Sequence, residues 1–273
     1  MVKVISTSRV ILGGAEVDLM SFDAAVDMVS DRAAVPGPLP MAVVSVNLDH
    51  IKHFGAGGTL NLGTGDGGTR ASAGPADQPA VQWLSLLDGA PLVAQAKRMT
   101  GQNWPRLAGS DLIEPLLDRA ATRGLRVGFL GGTEETHELL KGKLAAIRPD
   151  LVVAGWWAPA RSELSDPQAC RRFAEEISHA GVDILVVGLG KPRQEVWISQ
   201  YGALTGARVL LAFGAAVDFL AGRVARAPQW VSGHGLEWVW RLVHEPRRLA
   251  RRYLADGPPA YGRLRLNSSI PAP

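Results

Sequence analysis

Short β-branched runs alternate with amphipathic stretches of helical length through the second half of the chain, and this alternation restricts the fold more than any other feature. The runs at 125–130, 151–154, 184–188 and 208–213 carry apolar side chains at nearly every position, as strands buried on both faces do. Between them, 134–147 and 166–179 have the spacing of helices, with Thr133 and Ser165 in place to cap them. Two further strands are expected at 41–46 and 81–87, and two further helices at 21–31 and 110–123. A βαβ series of this kind predicts an α/β fold, an open, doubly wound, mostly parallel sheet of the Rossmann-like type.

The 273 residues, 47% hydrophobic and 20% charged, suffice for one large domain with a small addition. The expected division is a catalytic core over 1–222 and a C-terminal helical appendage over 223–273. Within the core, 55–78 holds eight of the 31 glycines and almost no large apolar side chain, which predicts a mobile insertion. From Arg223 onward nine arginines face three acidic residues, so a net charge of +3 conceals a basic end on an otherwise negative chain. Trp230, Trp238, Trp240 and Tyr253 interleave with those arginines, and Pro246 splits the region into two short helices. Tryptophan beside arginine at helical spacing fits an element lying on an anionic membrane surface, with packing of the tryptophans on the core as the alternative. No run of about 18 apolar residues occurs, and the first twenty residues lack the pattern of a secretory leader. The expected location is therefore cytoplasmic, peripheral on the inner face of the membrane. Cys170, the single cysteine, reads as an inert, half-buried thiol.

Ligands of open α/β sheets sit beyond the carboxyl ends of the strands, so the loops there are the candidates for chemistry. Residues 189–195 follow one strand, and Gln194 among them is suited to hydrogen-bond a phosphate or a base. Gly131-Gly132-Thr133 opens a helix, where glycine serves either an anion or the turn itself. Asp88, at the end of the 81–87 strand, offers a carboxylate at that edge, and Asp88-Gly89 is also a common turn. A carboxylate so placed is the general base that an inverting glycosyl transfer requires, because the acceptor hydroxyl must lose its proton as it attacks. The six histidines have no metal-binding spacing, and no dinucleotide fingerprint or P-loop is present. Neither metal nor cofactor is expected, nor is a nucleic-acid partner.

The loops occur in a definite order: SVN at 45–47, DG at 88–89, RLAGSDL at 106–112, FLGG at 129–132 and DILVVGLGKPRQE at 183–195. AFGAAVDFLAG at 212–222, RAP at 226–228 and LEWVWRLVHEPRRLARRY at 236–253 follow. In these motifs, from about residue 43 to 253, the sequence resembles the WecG/TagA/CpsF family, glycosyltransferase family 26. The resemblance implies an α/β core that binds a UDP-sugar, in the family commonly UDP-N-acetylmannosamine. It also implies inverting, metal-independent transfer to a polyprenyl-diphosphate-linked saccharide in the synthesis of teichoic acid or surface polysaccharide. By position it makes Asp88 the catalytic base and sets Ser45, Asn47, Gly89, Arg106, Gln194 and Asp218 around the nucleotide-sugar. Arg241, Arg248 and Arg251 match appendage arginines that grip diphosphate, a role consistent with the charge a departing nucleotide develops. The chain departs from the family pattern at Ala90-Pro91 and at residues 155–159. These departures leave UDP-glucose and UDP-glucuronate open as donors. A nucleotide-binding regulatory module docked on a membrane is the alternative from another class.

Overall fold

A computed structural model describes residues 8–58, 60, 81–214, 216–222, 237–244 and 246–271. Among the described residues, eight strands form one sheet: β1 (Ser8–Leu12), β2 (Ala15–Leu19), β3 (Met41–Val46), β4 (Gln82–Leu87), β5 (Arg126–Gly131), β6 (Val152–Trp157), β7 (Ile184–Gly188) and β8 (Val209–Ala212). Their order is β1-β2-β4-β3-β8-β7-β5-β6, parallel throughout except where β1 pairs antiparallel with β2. The helices that separate them are α1 (Phe22–Ala34), α2 (Leu48–Phe54), α3 (Ala90–Thr100), α4 (Gly109–Thr122), α5 (Glu134–Ile147), α6 (Pro167–His179), α7 (Arg193–Tyr201) and α8 (Ala216–Ala221). This is the doubly wound architecture that the alternating pattern predicts.

Period-two side chains divide each central strand between two cores. Met41 and Val43 join Val127, Phe129, Ile184, Val186, Val209 and Leu211 beneath α1, α4, α5 and α8. On the other face Ala42, Val44 and Val46 join Leu185, Val187, Leu210 and Ala212 against α3, α6 and α7. Parallel strands buried this way need helices on both faces, which is why these runs read as continuous apolar sequence. Local chemistry sets the helix starts: Ser21, Asn47 and Thr133 each accept the backbone N–H three residues on, while Asp166 accepts that of Gln168 and has Pro167 at the first helical position. Thus Asp166, rather than Ser165, caps α6. Strand β6 runs three residues further than expected, because Trp156 stacks on Phe129 with ring centroids 4.6 Å apart and Trp157 pairs with Leu130.

The β1–β2 hairpin turns through Gly13 and Gly14, both with positive φ (60° and 84°), as a two-residue turn between right-twisted strands demands. Of the insertion at 55–78, all but its first few residues lies outside those described, and Gly55 serves as the C-cap of α2.

Beyond residue 222 the chain is described again from α9 (Glu237–His244), which Pro246 separates from α10 (Pro246–Ala250). One turn of π-helix (Arg251–Ala255) leads into α11 (Gly257–Leu266). That last helix lies on α2 and α3, with Ala260 and Leu264 buried in the same core as Leu12, Ile51 and Leu92. Lys52 of α2 pairs with Asp256 at 2.6 Å, and the Lys52 carbonyl accepts from the Arg263 guanidinium. Past α11, Ile11 and Ser269 exchange both backbone hydrogen bonds along the outer edge of β1, while the Asn267 carbonyl accepts from Gly14 N. Part of the segment expected as an appendage is therefore built into the core.

Candidate functional site

Strands β3, β4, β5, β7 and β8 end on one edge of the sheet, and their following loops meet there. Asp88, half-buried, directly follows β4. Its Oδ1 accepts from the Gly89 backbone N at 2.8 Å and its Oδ2 from Asn47 Nδ2 at 3.2 Å. Gly89 holds φ of +84° at the entrance to α3, a conformation that costs glycine nothing and that turns its N–H toward the carboxylate. Asn47 works in two directions, since its Oδ1 caps α2 by accepting from His50 N at 3.2 Å while its amide donates to Asp88. The carboxylate is thereby oriented by groups from the ends of two adjacent strands.

Ser45 and Arg106 flank this pair. The Ser45 hydroxyl, buried, donates to the Leu107 carbonyl at 3.0 Å, and Leu107 N donates to the Leu87 carbonyl just before Asp88. Ser45 thus braces the loop that carries Arg106. The Arg106 guanidinium pairs with Asp111 at 2.7 Å, about one third exposed.

The loop after β7 adds a cluster of charged and polar groups. Gln194, 2% exposed, donates its amide to the Ala212 carbonyl at 2.7 Å and to Glu195 Oε1 at 3.2 Å. It ties β7 to β8, and a Cβ on Gly214 would come within 2.5 Å of its Oε1, so any larger residue there would displace the Gln194 side chain. Glu195 is fully buried, and Lys191 lies 3.4 Å from it. The Lys191 ammonium also donates to the Ser45 carbonyl at 3.1 Å and approaches His50 Nδ1 at 3.5 Å. Burial, then the Lys191 charge and His53, push the His50 imidazole well below its usual range. His50 is therefore neutral at pH 7, and its Nδ1 serves as the acceptor. Motif reasoning selects Gln194 in this loop but not Lys191, Glu195 or His50. Two spacings could have found them: Lys191 and Glu195 stand four apart at the start of α7, and His50 stands three after the cap of α2.

Further along the same edge, Gly131, Gly132, Gly188, Leu189, Pro159, Leu164, Arg161 and Arg193 line an open cleft of about 270 Å³. A Cβ on Gly131 would lie 2.6 Å from the Gly188 carbonyl, so glycine lets β5 and β7 approach each other here. The His137 Nε2–H donates to the Gly131 carbonyl at 2.7 Å and fixes that turn. Arg161 and Arg193 are both exposed on the lining of this cleft, and the Arg161 carbonyl accepts from the Ser165 hydroxyl at 3.3 Å. Asp218 lies on α8 next to Val217, which packs 3.6 Å from where a Cβ of Gly132 would sit. Arg251 is exposed on the π-helical turn. The side chains of Arg241 and Arg248 fall outside the described set, so the expected common face of the three arginines does too. Among the described residues no group of three or more His, Cys, Asp or Glu is placed to hold a metal ion.

Such an edge presents an oriented carboxylate at one end and a glycine-floored, arginine-lined cleft at the other, which suits proton removal beside an anionic substrate. A family model described as glycosyl transferase WecG/TagA/CpsF matches residues 76–270. Among curated proteins, the chain is similar to an N-acetylglucosaminyldiphosphoundecaprenol N-acetyl-beta-D-mannosaminyltransferase of Bacillus subtilis (strain 168), with 30% identity over 168 residues. A protein of the same name from Bacillus spizizenii (strain ATCC 23059 / NRRL B-14472 / W23) is 32% identical over 170 residues. Each match covers 61% of this chain and 62% of the relative, a little under two thirds of either.

Proposed function

The chain belongs to the WecG/TagA/CpsF family of glycosyl transferases, and on that premise we propose that it moves N-acetylmannosamine from a UDP donor to a polyprenyl-diphosphate-linked amino sugar. The observation that carries the reading is the carboxylate of Asp88, oriented by Asn47 and Gly89 at the carboxyl edge of the sheet. Asp88 takes the proton of the acceptor hydroxyl as its oxygen attacks the anomeric carbon. The bond from that carbon to the diphosphate oxygen breaks on the opposite face, so the transfer inverts configuration. The leaving UDP then carries the bonding electron pair.

Charge developing on UDP calls for cationic groups that need no rearrangement. Arg161 and Arg193 meet that need from the side of the glycine-floored cleft, and Arg241, Arg248 and Arg251 are the further cations that the family resemblance assigns to it. Similarity to relatives named as acting on diphosphoundecaprenol-linked N-acetylglucosamine supports the acceptor class. A lipid-linked acceptor requires an enzyme at the membrane surface. Among the described residues, six of the ten exposed large apolar side chains fall between Val239 and Ile270, alongside exposed Arg251 and Arg265. No helix among the described residues is long and apolar enough to cross a membrane. Peripheral attachment to the inner leaflet through the C-terminal helices is the localisation we propose.

The test is UDP release from a panel of UDP-sugars with a short-chain polyprenyl-diphosphate N-acetylglucosamine acceptor. UDP-N-acetylmannosamine is expected to be consumed, and Asp88→Asn to lower turnover by on the order of 10²-fold or more while UDP binding persists. Undiminished turnover in Asp88→Asn removes the base assignment. Tight UDP binding with no release from any donor favours a nucleotide-binding module without chemistry.

A further inference from the structure

Lys191 lies apart from the carboxylate yet makes contacts on both sides of the residue that orients it. Its ammonium donates to the Ser45 carbonyl, two residues before Asn47, and faces His50 Nδ1, three residues after it. The same ammonium lies 3.4 Å from Glu195 Oε1, an ion pair that neutralises its charge. Only 12% of the Lys191 side chain is exposed, and Glu195 behind it is fully buried. The charge is therefore balanced from within, and its donors are spent on protein atoms rather than held open for a ligand. The end of β3 and the first turn of α2 are thereby tied to α7, a helix more than 140 residues away in sequence.

From this geometry we propose that Lys191 is a positioning residue of the transfer reaction, acting through Asn47 on Asp88. Asn47 holds Asp88 only while its own oxygen caps α2 and β3 keeps its register beside β4. Both conditions involve residues that Lys191 restrains, Ser45 through its carbonyl and His50 through its ring. The neutral state of His50 fits the role, since an imidazole protonated on both nitrogens would repel the ammonium rather than accept from it. This inference rests on Asp88 acting as the base, but the structural link from Lys191 to Asn47 has a readout of its own.

That readout is hydrogen exchange at the His50 amide, the proton that Asn47 caps. Lys191→Met strands the buried Glu195 charge, so Lys191→Met is made together with Glu195→Gln, which removes both charges and spares the fold. In that variant the His50 amide is expected to exchange at least about tenfold faster than in the native chain. Unchanged exchange overturns the proposal whether or not transfer is detected. Turnover supplies the second arm. Relative to the native chain, Lys191→Met with Glu195→Gln is expected to lower kcat by about tenfold with little change in donor KM. Adding Asn47→Ala should lower it no further than Asn47→Ala does alone, because both changes break one chain of contacts. Losses that multiply overturn the action through Asn47. Full turnover in Asp88→Asn, with the exchange effect intact, would instead refute the base and leave the structural link standing.

Discussion

At the scale of single residues, the carboxyl edge is organised by groups whose use is invisible in isolation. Asn47 is a helix cap by its position and a carboxylate anchor by its partner, and neither role is read from the sequence, where no helix is expected at 48–54. Asp88-Gly89 is legible as a strand end, yet the hydrogen bond from Gly89 N depends on a backbone angle that the letters do not carry. Gln194 was legible as a polar residue in the right loop, but its amide is spent on Ala212 and Glu195. His50 gives the residue scale its prediction. Burial lowers its proton affinity in the folded state, so below about pH 6.5 the unfolded chain binds more protons than the native one. Stability contributed by the neutral imidazole is full above that pH and is lost as pH falls, with a limiting slope of about 1.4 kcal/mol per pH unit for one proton. Urea midpoints at pH 7.5 and 5.0 should differ in the native chain, and the difference should shrink in His50→Gln.

Elements were legible wherever periodicity alone decides them. Strand β7 and helix α5 begin and end where the pattern puts them, because apolar runs between glycine turns and an amphipathic stretch behind Thr133 are local signals. The β1–β2 hairpin carried an equally local signal, Gly13-Gly14 between alternating apolar residues, which was not read. Helix α11 had no such signal. Its sequence, GPPAYGRLRL, has its prolines in the first turn, where they are tolerated, but two glycines in ten residues weaken it, and docking on α2 and α3 decides for a helix. That account makes packing at Leu264, fully buried, the main support of the element. Leu264→Ala is expected to cost about 2–5 kcal/mol of stability in a denaturant titration, a sizeable part of a typical domain's total. A loss below 1 kcal/mol would mean that α11 is held by its polar contacts to Lys52 instead.

On the scale of the whole molecule, the sheet was foreseeable and its closing contacts were not. Alternating strands and helices dictate layers, but the pairing of β1 with residue 269, or of Lys191 with Ser45, joins positions that no periodicity relates. The exposed apolar side chains on the C-terminal helices lead to a prediction about the entire surface. Val243 and Leu254, 70% and 64% exposed, leave the folded core untouched when changed. Val243→Glu with Leu254→Glu should preserve the thermal midpoint and reduce flotation with anionic vesicles severalfold, since two apolar anchors are replaced by charges that the surface repels. Equal flotation would place the membrane contact elsewhere.

The hydrogen bond from Gly13 N to Ser268 Oγ spans 255 positions. On a ribosome adding about 5–20 residues per second, the strand that borders the sheet waits roughly 13 to 50 s for the segment that shields it. For that interval a nascent molecule presents a bare β-edge to its neighbours on the same message, a period in which a chaperone would have most to do.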